Sequence, residues 1–309
     1  MSHPLTTQLS RALQQAAGLQ PAVPQGLADV QIRPLEAALG AEVTGLDANR
    51  PLSPALVCAL KKALDDHHIL VFKQQQLSDD AFLAFTTYFG SVFRPPEDVP
   101  VLASAANDGV PPDVVPVANV EGGYTGNGEL HPHIDHQWTP LPSAGSLLYA
   151  LEVPSVGGDT SWYNLNAAYE ALDVETKAKI NGLQLITYNP FLRQKGEARP
   201  PYRTPEVEPL GPGFPHPLVR THPSSGKPLL FLSARTEVEL VGVAPEEGAA
   251  LIARLREHVT QQRFRYEHRW QVGDIVYWDN QATQHSRTAF AETERRVLKR
   301  VSLAGSRPF

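Results

Sequence analysis

Cysteine is almost missing from this chain. Its 309 residues contain one, Cys58, so no internal disulfide can form and a thiolate-built structural zinc centre is excluded. A reducing, cytoplasmic setting is the expectation that follows. Long apolar runs are missing too, so no membrane-spanning helix is expected. The start, MSHPLTTQLSRALQQ, has no apolar core of the kind a secretory signal needs. Positive charge is not in excess: 27 Lys and Arg face 33 Asp and Glu, a net charge of -6. A nucleic-acid partner usually requires a basic footprint, so none is expected. There is no internal repeat and no low-complexity tract. These absences leave a small molecule as the expected partner and say nothing against a homo-oligomer.

What is present reads as a globular core. The hydrophobic share is 42% and the charged share 19%, while 28 prolines favour turns and fixed loops over a helical bundle. Residues 1–28 read as an N-terminal extension: 5–17 is compatible with a short helix, and GLQPAVPQGLAD after it reads as a linker. Residues 29–309 read as one domain. VQIRPLEAALGAEVTGLD suggests two strands around a turn. LSPALVCALKKALDDHH suggests a helix capped by Ser53 with Pro54 in its first turn. ILVFK suggests a buried strand, and LSDDAFLAFTTYFG a second capped helix ended by Gly90. Further strands are expected at AGSLLYALEV, 229–232, 263–270, 274–279 and 296–303, and helices over LNAAYEALDVETKAKING and 245–259. Two irregular stretches, 91–130 and 189–217, are long enough to form a functional rim. The sum is a mainly β domain with flanking helices (α+β), best accommodated by a double-stranded β-helix, the jelly roll of cupin-like proteins.

The chemistry concentrates in HPHIDHQW, residues 131–138. If this stretch is a strand, His133 and Asp135 point to one face and can converge on one ion. A lone His-x-Asp arises by chance, so a second half is required. WDNQATQH supplies it, with His285 read as lying in a loop just past a strand. Two histidines and one carboxylate, with the opposite side open, form the facial triad of non-haem Fe(II) oxygenases. His131 and His136 read as neighbours of the site rather than ligands, Asp159 and Asp279 as structural, and His67 and His68 as a helix end favourable to the dipole.

In order along the chain, HHILVFKQQQLSDDAFLAFTTYFG, HID, PSAG, LEVPSVGGDTSWYNLNAAYEAL, HPLVRTHPSSGKPLLFL, WDNQATQH, ERRVLKR and GSRPF resemble the TauD/TfdA dioxygenases. The resemblance covers about residue 31 to Phe309. It implies Fe(II), 2-oxoglutarate and O2 as cofactor and co-substrates, with release of succinate and CO2 and hydroxylation of a small, anionic organic substrate. It implies His133, Asp135 and His285 as metal ligands. Thr160 and Arg296 would meet the distal carboxylate of 2-oxoglutarate. Arg300 would stand near the iron, contacting the keto-acid head or an acidic substrate. Apart from the resemblance, Trp138 reads either as core packing or, being close in sequence to His133 and Asp135, as a residue lining the pocket. Arginine suits these positions because its fork pairs with a carboxylate and keeps its charge.

This sequence also departs from the family. Pro132 stands where Trp is common, and the segment SVFRPPEDVP lacks a histidine that taurine-type enzymes use, which disfavours taurine itself. Arg94 is a candidate replacement as an anion clamp. His136, Tyr188, Phe191, Arg193 and Lys195 are further candidate substrate contacts. Desaturation, epoxidation and cyclisation use the same triad and stay open as outcomes. From other classes, a zinc hydrolase with the same three ligands and a non-catalytic cupin-like binding protein remain as rivals.

Overall fold

The computed structural model describes residues 23–96, 101, 112–192, 200–204, 211–234 and 236–309. The helix expected over 5–17, and Arg193 and Lys195, lie outside them. The first strands are β1 (Gln31–Pro34), β2 (Ala41–Thr44), β3 (Ile69–Phe72), β4 (Val115–Ala118), β5 (Leu130–His133), β6 (Gly145–Glu152) and β7 (Thr160–Asn164). After them come β8 (Gln184–Thr187), β9 (Pro215–Pro217), β10 (Val219–Thr221), β11 (Pro228–Leu230) and β12 (Val238–Leu240). The last four are β13 (Arg265–His268), β14 (Ile275–Asp279), β15 (Thr283–Arg287) and β16 (Val297–Leu303). The α-helices are α1 (Pro54–His67), α2 (Asp79–Thr87), α3 (Leu165–Glu170), α4 (Val174–Ile180) and α5 (Pro245–Val259).

A major sheet runs in the order β1-β2-β3-β14-β6-β16-β4, and a minor sheet in the order β13-β7-β15-β5. Period-two alternation decides what each face of the major sheet buries. On β14, Ile275 and Tyr277 join Leu56 and Leu60 of α1 and Phe82 and Phe85 of α2 on the outer side. Val276 and Trp278 turn inward, into a cluster that includes Trp162 of the minor sheet. β6 divides the same way, Leu147 and Tyr149 outward, Leu148 and Ala150 inward. The two sheets therefore meet over an aromatic seam, with Trp162 and Trp278 ring centroids 5.8 Å apart. This is the double-stranded β-helix expected from the sequence. A separate cluster packs α3 and α5 against β8, β11 and β12 through Leu165, Leu251, Ile252, Leu255, Leu229 and Val238.

Local signals explain the helix limits. The Ser53 hydroxyl accepts from the Leu56 N–H, and Pro54 opens α1; His68 ends it in the left-handed region at φ 62°. α2 is capped by Ser78 and stops at Thr87, three residues short of Gly90. The expected long helix after β7 is two helices, because Asp173 caps a new one by accepting from the Thr176 N–H. The two stretches read as irregular are not wholly so: 91–130 contains β4, and 189–217 contains β9. Among the described residues no helix is long and apolar enough to cross a membrane.

Candidate active site

β15 lies between β7 and β5, and His285 pairs directly with His133 across the ladder. Two placements differ from the sequence reading. His285 is inside β15 rather than in a loop, and Asp135 is not on the strand but in the turn that follows β5. That turn is fixed from below by Asn280. Its Oδ1 accepts from the Asp135 N–H at 3.1 Å, and its Nδ2 donates to the Asp135 and Ser143 carbonyls at 2.9 and 3.0 Å. Asn280 sits in the WDNQATQH motif, but sequence reasoning assigned it no part; only the turn geometry gives it one.

Ligand atoms of His133, Asp135 and His285 all lie within 4.8 Å of one another. His133 Nδ1 donates to the His131 carbonyl at 2.7 Å, so Nε2 keeps its lone pair and faces Asp135 Oδ1 at 3.6 Å. Asp135 Oδ2 accepts from Arg300 Nη1 at 2.9 Å and stands 3.9 Å from His285 Nε2. Burial pushes the Asp135 carboxyl up, but Arg300 and the neighbouring histidines outweigh it and hold the group well below its ordinary range. Burial, then the proximity of His133, drives His285 down to about 3, which keeps its ring neutral and able to bind a metal. The donor set, two imidazole nitrogens and one carboxylate oxygen on one side, fits an Fe(II) site with open positions.

His133, Asp135 and His285 line a cavity of about 630 Å³, which Thr160, Arg296 and Arg300 also line. Arg296 precedes β16 by one residue, and its guanidinium is threaded past Gly158. Its Nε donates to the Gly158 carbonyl at 2.9 Å and its Nη2 approaches Thr160 Oγ1 at 3.4 Å. A Cβ at Gly158 would lie 3.0 Å from Arg296 Cδ, and φ there is +69°, so only glycine leaves this path open. The Thr160 hydroxyl also accepts from Trp270 Nε1 at 2.9 Å. With both acceptor positions met by N–H donors, its own hydrogen is left to donate. Arg296 is 2% exposed and makes no ion pair among the described residues. A threonine O–H beside a buried, unpaired guanidinium fits a carboxylate, as the distal end of 2-oxoglutarate requires.

The other candidates divide. His136 is buried at φ 59°, its ring stacked on Phe93 at 4.1 Å and its Nδ1 within 2.9 Å of Ser143 Oγ. Trp138 and Phe191 meet edge to face at 5.6 Å on the cavity wall, and Trp138 Nε1 is buried without a hydrogen-bond partner. Tyr188 lines the cavity with its ring, but its hydroxyl donates to Glu239, which also takes Arg203 at 2.5 Å. Arg94 is not brought to the cavity: it is exposed and paired with Asp113. Asp279 is structural as expected. Its Oδ2 accepts from His222 Nε2 at 2.7 Å, while His222 Nδ1 accepts from the Ser225 N–H, leaving that ring no lone pair for a metal.

Two histidines and a carboxylate converging between facing β-sheets, with the buried Arg296 and the partly buried Arg300 beside them, fit a non-haem iron oxygenase that uses a keto-acid co-substrate. The family described as "Taurine catabolism dioxygenase TauD, TfdA family" matches residues 31–302, and this chain belongs to it. It is 31% identical over 291 residues to the alpha-ketoglutarate-dependent 2,4-dichlorophenoxyacetate dioxygenase of Cupriavidus pinatubonensis, covering 88% of this chain and 97% of that one. A crystal structure of a taurine dioxygenase from Burkholderia xenovorans matches with a TM-score of 0.72 and 32% identity over 91% of each chain. The crystal structure of AAD-2 in complex with Mn(II) and N-oxalylglycine matches at 0.73 with 30% identity, over 90% of this chain and 98% of that one. The protein is an Fe(II)- and 2-oxoglutarate-dependent dioxygenase, which sets aside the hydrolase and binding-protein readings.

Proposed function

We propose that His133, Asp135 and His285 hold the Fe(II), that Thr160 and Arg296 hold the distal carboxylate of 2-oxoglutarate, and that the organic substrate enters between Arg300, Trp138, His136 and Phe191. The carrying observation is the convergence of the three ligand atoms within 4.8 Å on the wall of the cavity that contains both arginines. With iron, keto acid and O2 bound, the site supplies oxidative decarboxylation to succinate and CO2 coupled to oxidation of the organic substrate. The chain's own residues set the conditions. Asp135 offsets one metal charge, and Arg300 fixes the orientation of its carboxylate through the 2.9 Å bond. Trp278, Leu148 and Val117 wall the site against water.

The substrate class we infer is a small organic anion with an apolar or aromatic body, and the outcome we infer is hydroxylation. Arg300 supplies the cation, while Trp138, Phe191, Val117 and Leu148 supply the apolar walls. The name of one relative points the same way, a 2,4-dichlorophenoxyacetate dioxygenase. His133→Ala and Asp135→Ala should each abolish the visible charge-transfer band that Fe(II) and 2-oxoglutarate give without oxygen. Wild-type iron loading and activity in either variant would end the ligand assignment. Screening organic acids for succinate release coupled to a product heavier by one oxygen identifies the substrate.

A further inference from the structure

Two residues past His285 on β15, Arg287 points to the same side of the strand as that histidine and lines the same cavity. Across the β15–β7 ladder it stands directly opposite Thr160. Arg287 is 5% exposed, buried almost as fully as Arg296. Its Nη2 donates to the Gly128 carbonyl, and its guanidinium lies over the Phe290 ring at 5.3 Å. Nε and Nη1 are buried with no hydrogen-bond partner, and no ion pair engages the side chain among the described residues.

This is an unusual concentration of uncompensated charge. A buried guanidinium cannot shed its proton, and unpaired it is costly. Here two of them flank one threonine. Burial pulls Arg287 down to about 10, and its charge adds to the burial that lowers Arg296. The nearest chemical remedy is an anion seated at the Thr160 hydroxyl, between the two forks. We propose that Arg287 is a second cationic contact for the distal carboxylate of 2-oxoglutarate, so that Arg296 and Arg287 grip it from opposite sides of Thr160. Phe290 and the Gly128 carbonyl hold the second fork in place. This rests on the reading that Thr160 and Arg296 form the distal-carboxylate subsite. The pair makes the site more demanding than a single arginine would: keto acids lacking the second carboxylate are rejected more strongly.

The test compares two keto acids on the Fe(II)-loaded protein by anaerobic calorimetry: 2-oxoglutarate, and 2-oxopentanoate, which has the same five carbons but no distal carboxylate. Arg287→Met keeps the apolar stem over Phe290 and removes the charge. It should weaken 2-oxoglutarate by about 10- to 100-fold, the worth of a charged hydrogen bond, and leave 2-oxopentanoate within about twofold of the wild type by the same reasoning. Arg287→Lys, which keeps the charge on a single point rather than a fork, should fall between; it carries the test alone if the methionine variant does not fold. Equal losses for both acids would make Arg287 a purely structural clamp on the Gly128 segment, and no loss for 2-oxoglutarate would remove it from the subsite; either result overturns the proposal. Arg296→Ala in the same series separates the two readings. If it too binds 2-oxoglutarate normally, the subsite itself is misplaced; if it loses affinity while Arg287→Met does not, only the role of Arg287 fails.

Discussion

Single side chains here act mostly by holding other side chains. Asn280 does not line the cavity, yet three of its hydrogen bonds fix the turn that presents Asp135. Residues that orient a metal ligand typically contribute one to two decades of metal affinity. Asn280→Ala should therefore weaken Fe(II) binding by about 10- to 100-fold in a protein that still folds. An anaerobic Fe(II) titration with a competing chelator measures this, and an unchanged affinity would show that the turn holds itself. What was legible at this scale were residues whose type announces chemistry, such as His133, Asp135, His285 and Arg296. Asn280 and Arg287 were not legible, because an amide and an arginine are common on surfaces. The parts proposed for them rest on cross-strand register, hydrogen bonding and burial, which spacing along the chain does not disclose.

Among elements, α5 shows how scaffold and cavity are coupled. Its amphipathic face and Pro245 at the first turn made its limits readable from sequence, 245–259 in both readings. Polar strands were harder. TQHSR in β15 is a buried central strand without the apolar run that marks one, and so it passed for a loop. β4, β9 and β12 are three or four residues long, too short for alternation to register. From α5, the Arg256 guanidinium reaches the carbonyls of Ser233 at 3.1 Å, Pro201 at 2.6 Å and Thr236, and the last two residues line the cavity. Arg256→Met leaves these carbonyls without that donor, at a cost of about 1–3 kcal/mol for each group left buried and unpaired. Faster hydrogen exchange is expected in 200–204 and 236–240, with a raised KM for the organic substrate. Affinity for 2-oxoglutarate should not change, since Thr160 and Arg296 belong to β7 and the approach to β16. Wild-type exchange rates in both segments would refute the coupling.

For the molecule as a whole, buried histidines set the acid limit of stability. Burial lowers His136 to about 4 and His285 to about 3, and also depresses His68 and His216. Each has a folded pKa below its unfolded value, so as pH falls below about 6.5 the unfolded chain gains protons that the folded chain refuses. Stability is therefore full above that pH and declines as pH drops toward 4, by up to about 1.4 kcal/mol per pH unit for each such histidine. Asp135 contributes with the same sign at lower pH, being depressed as well. Melting temperatures of the metal-free protein should fall steadily from pH 7 to pH 5, and His136→Asn should flatten the slope. A melting temperature independent of pH across that range would contradict the assignment of neutral buried rings.

β16 is the last strand in chain order, yet it lies inside the major sheet, hydrogen-bonded to β6 on one side and β4 on the other. It also brings Arg300, with Arg296 just ahead of it. His133, Asp135 and His285 therefore precede both of these arginines along the chain. Until the final strand emerges, β6 and β4 each offer an unpaired edge, the form of a β-sheet most prone to wrong partners. A chain folded without β16 and the residue just ahead of it would lack both Arg296 and Arg300, so the proposed keto-acid site and the major sheet are completed by the same segment.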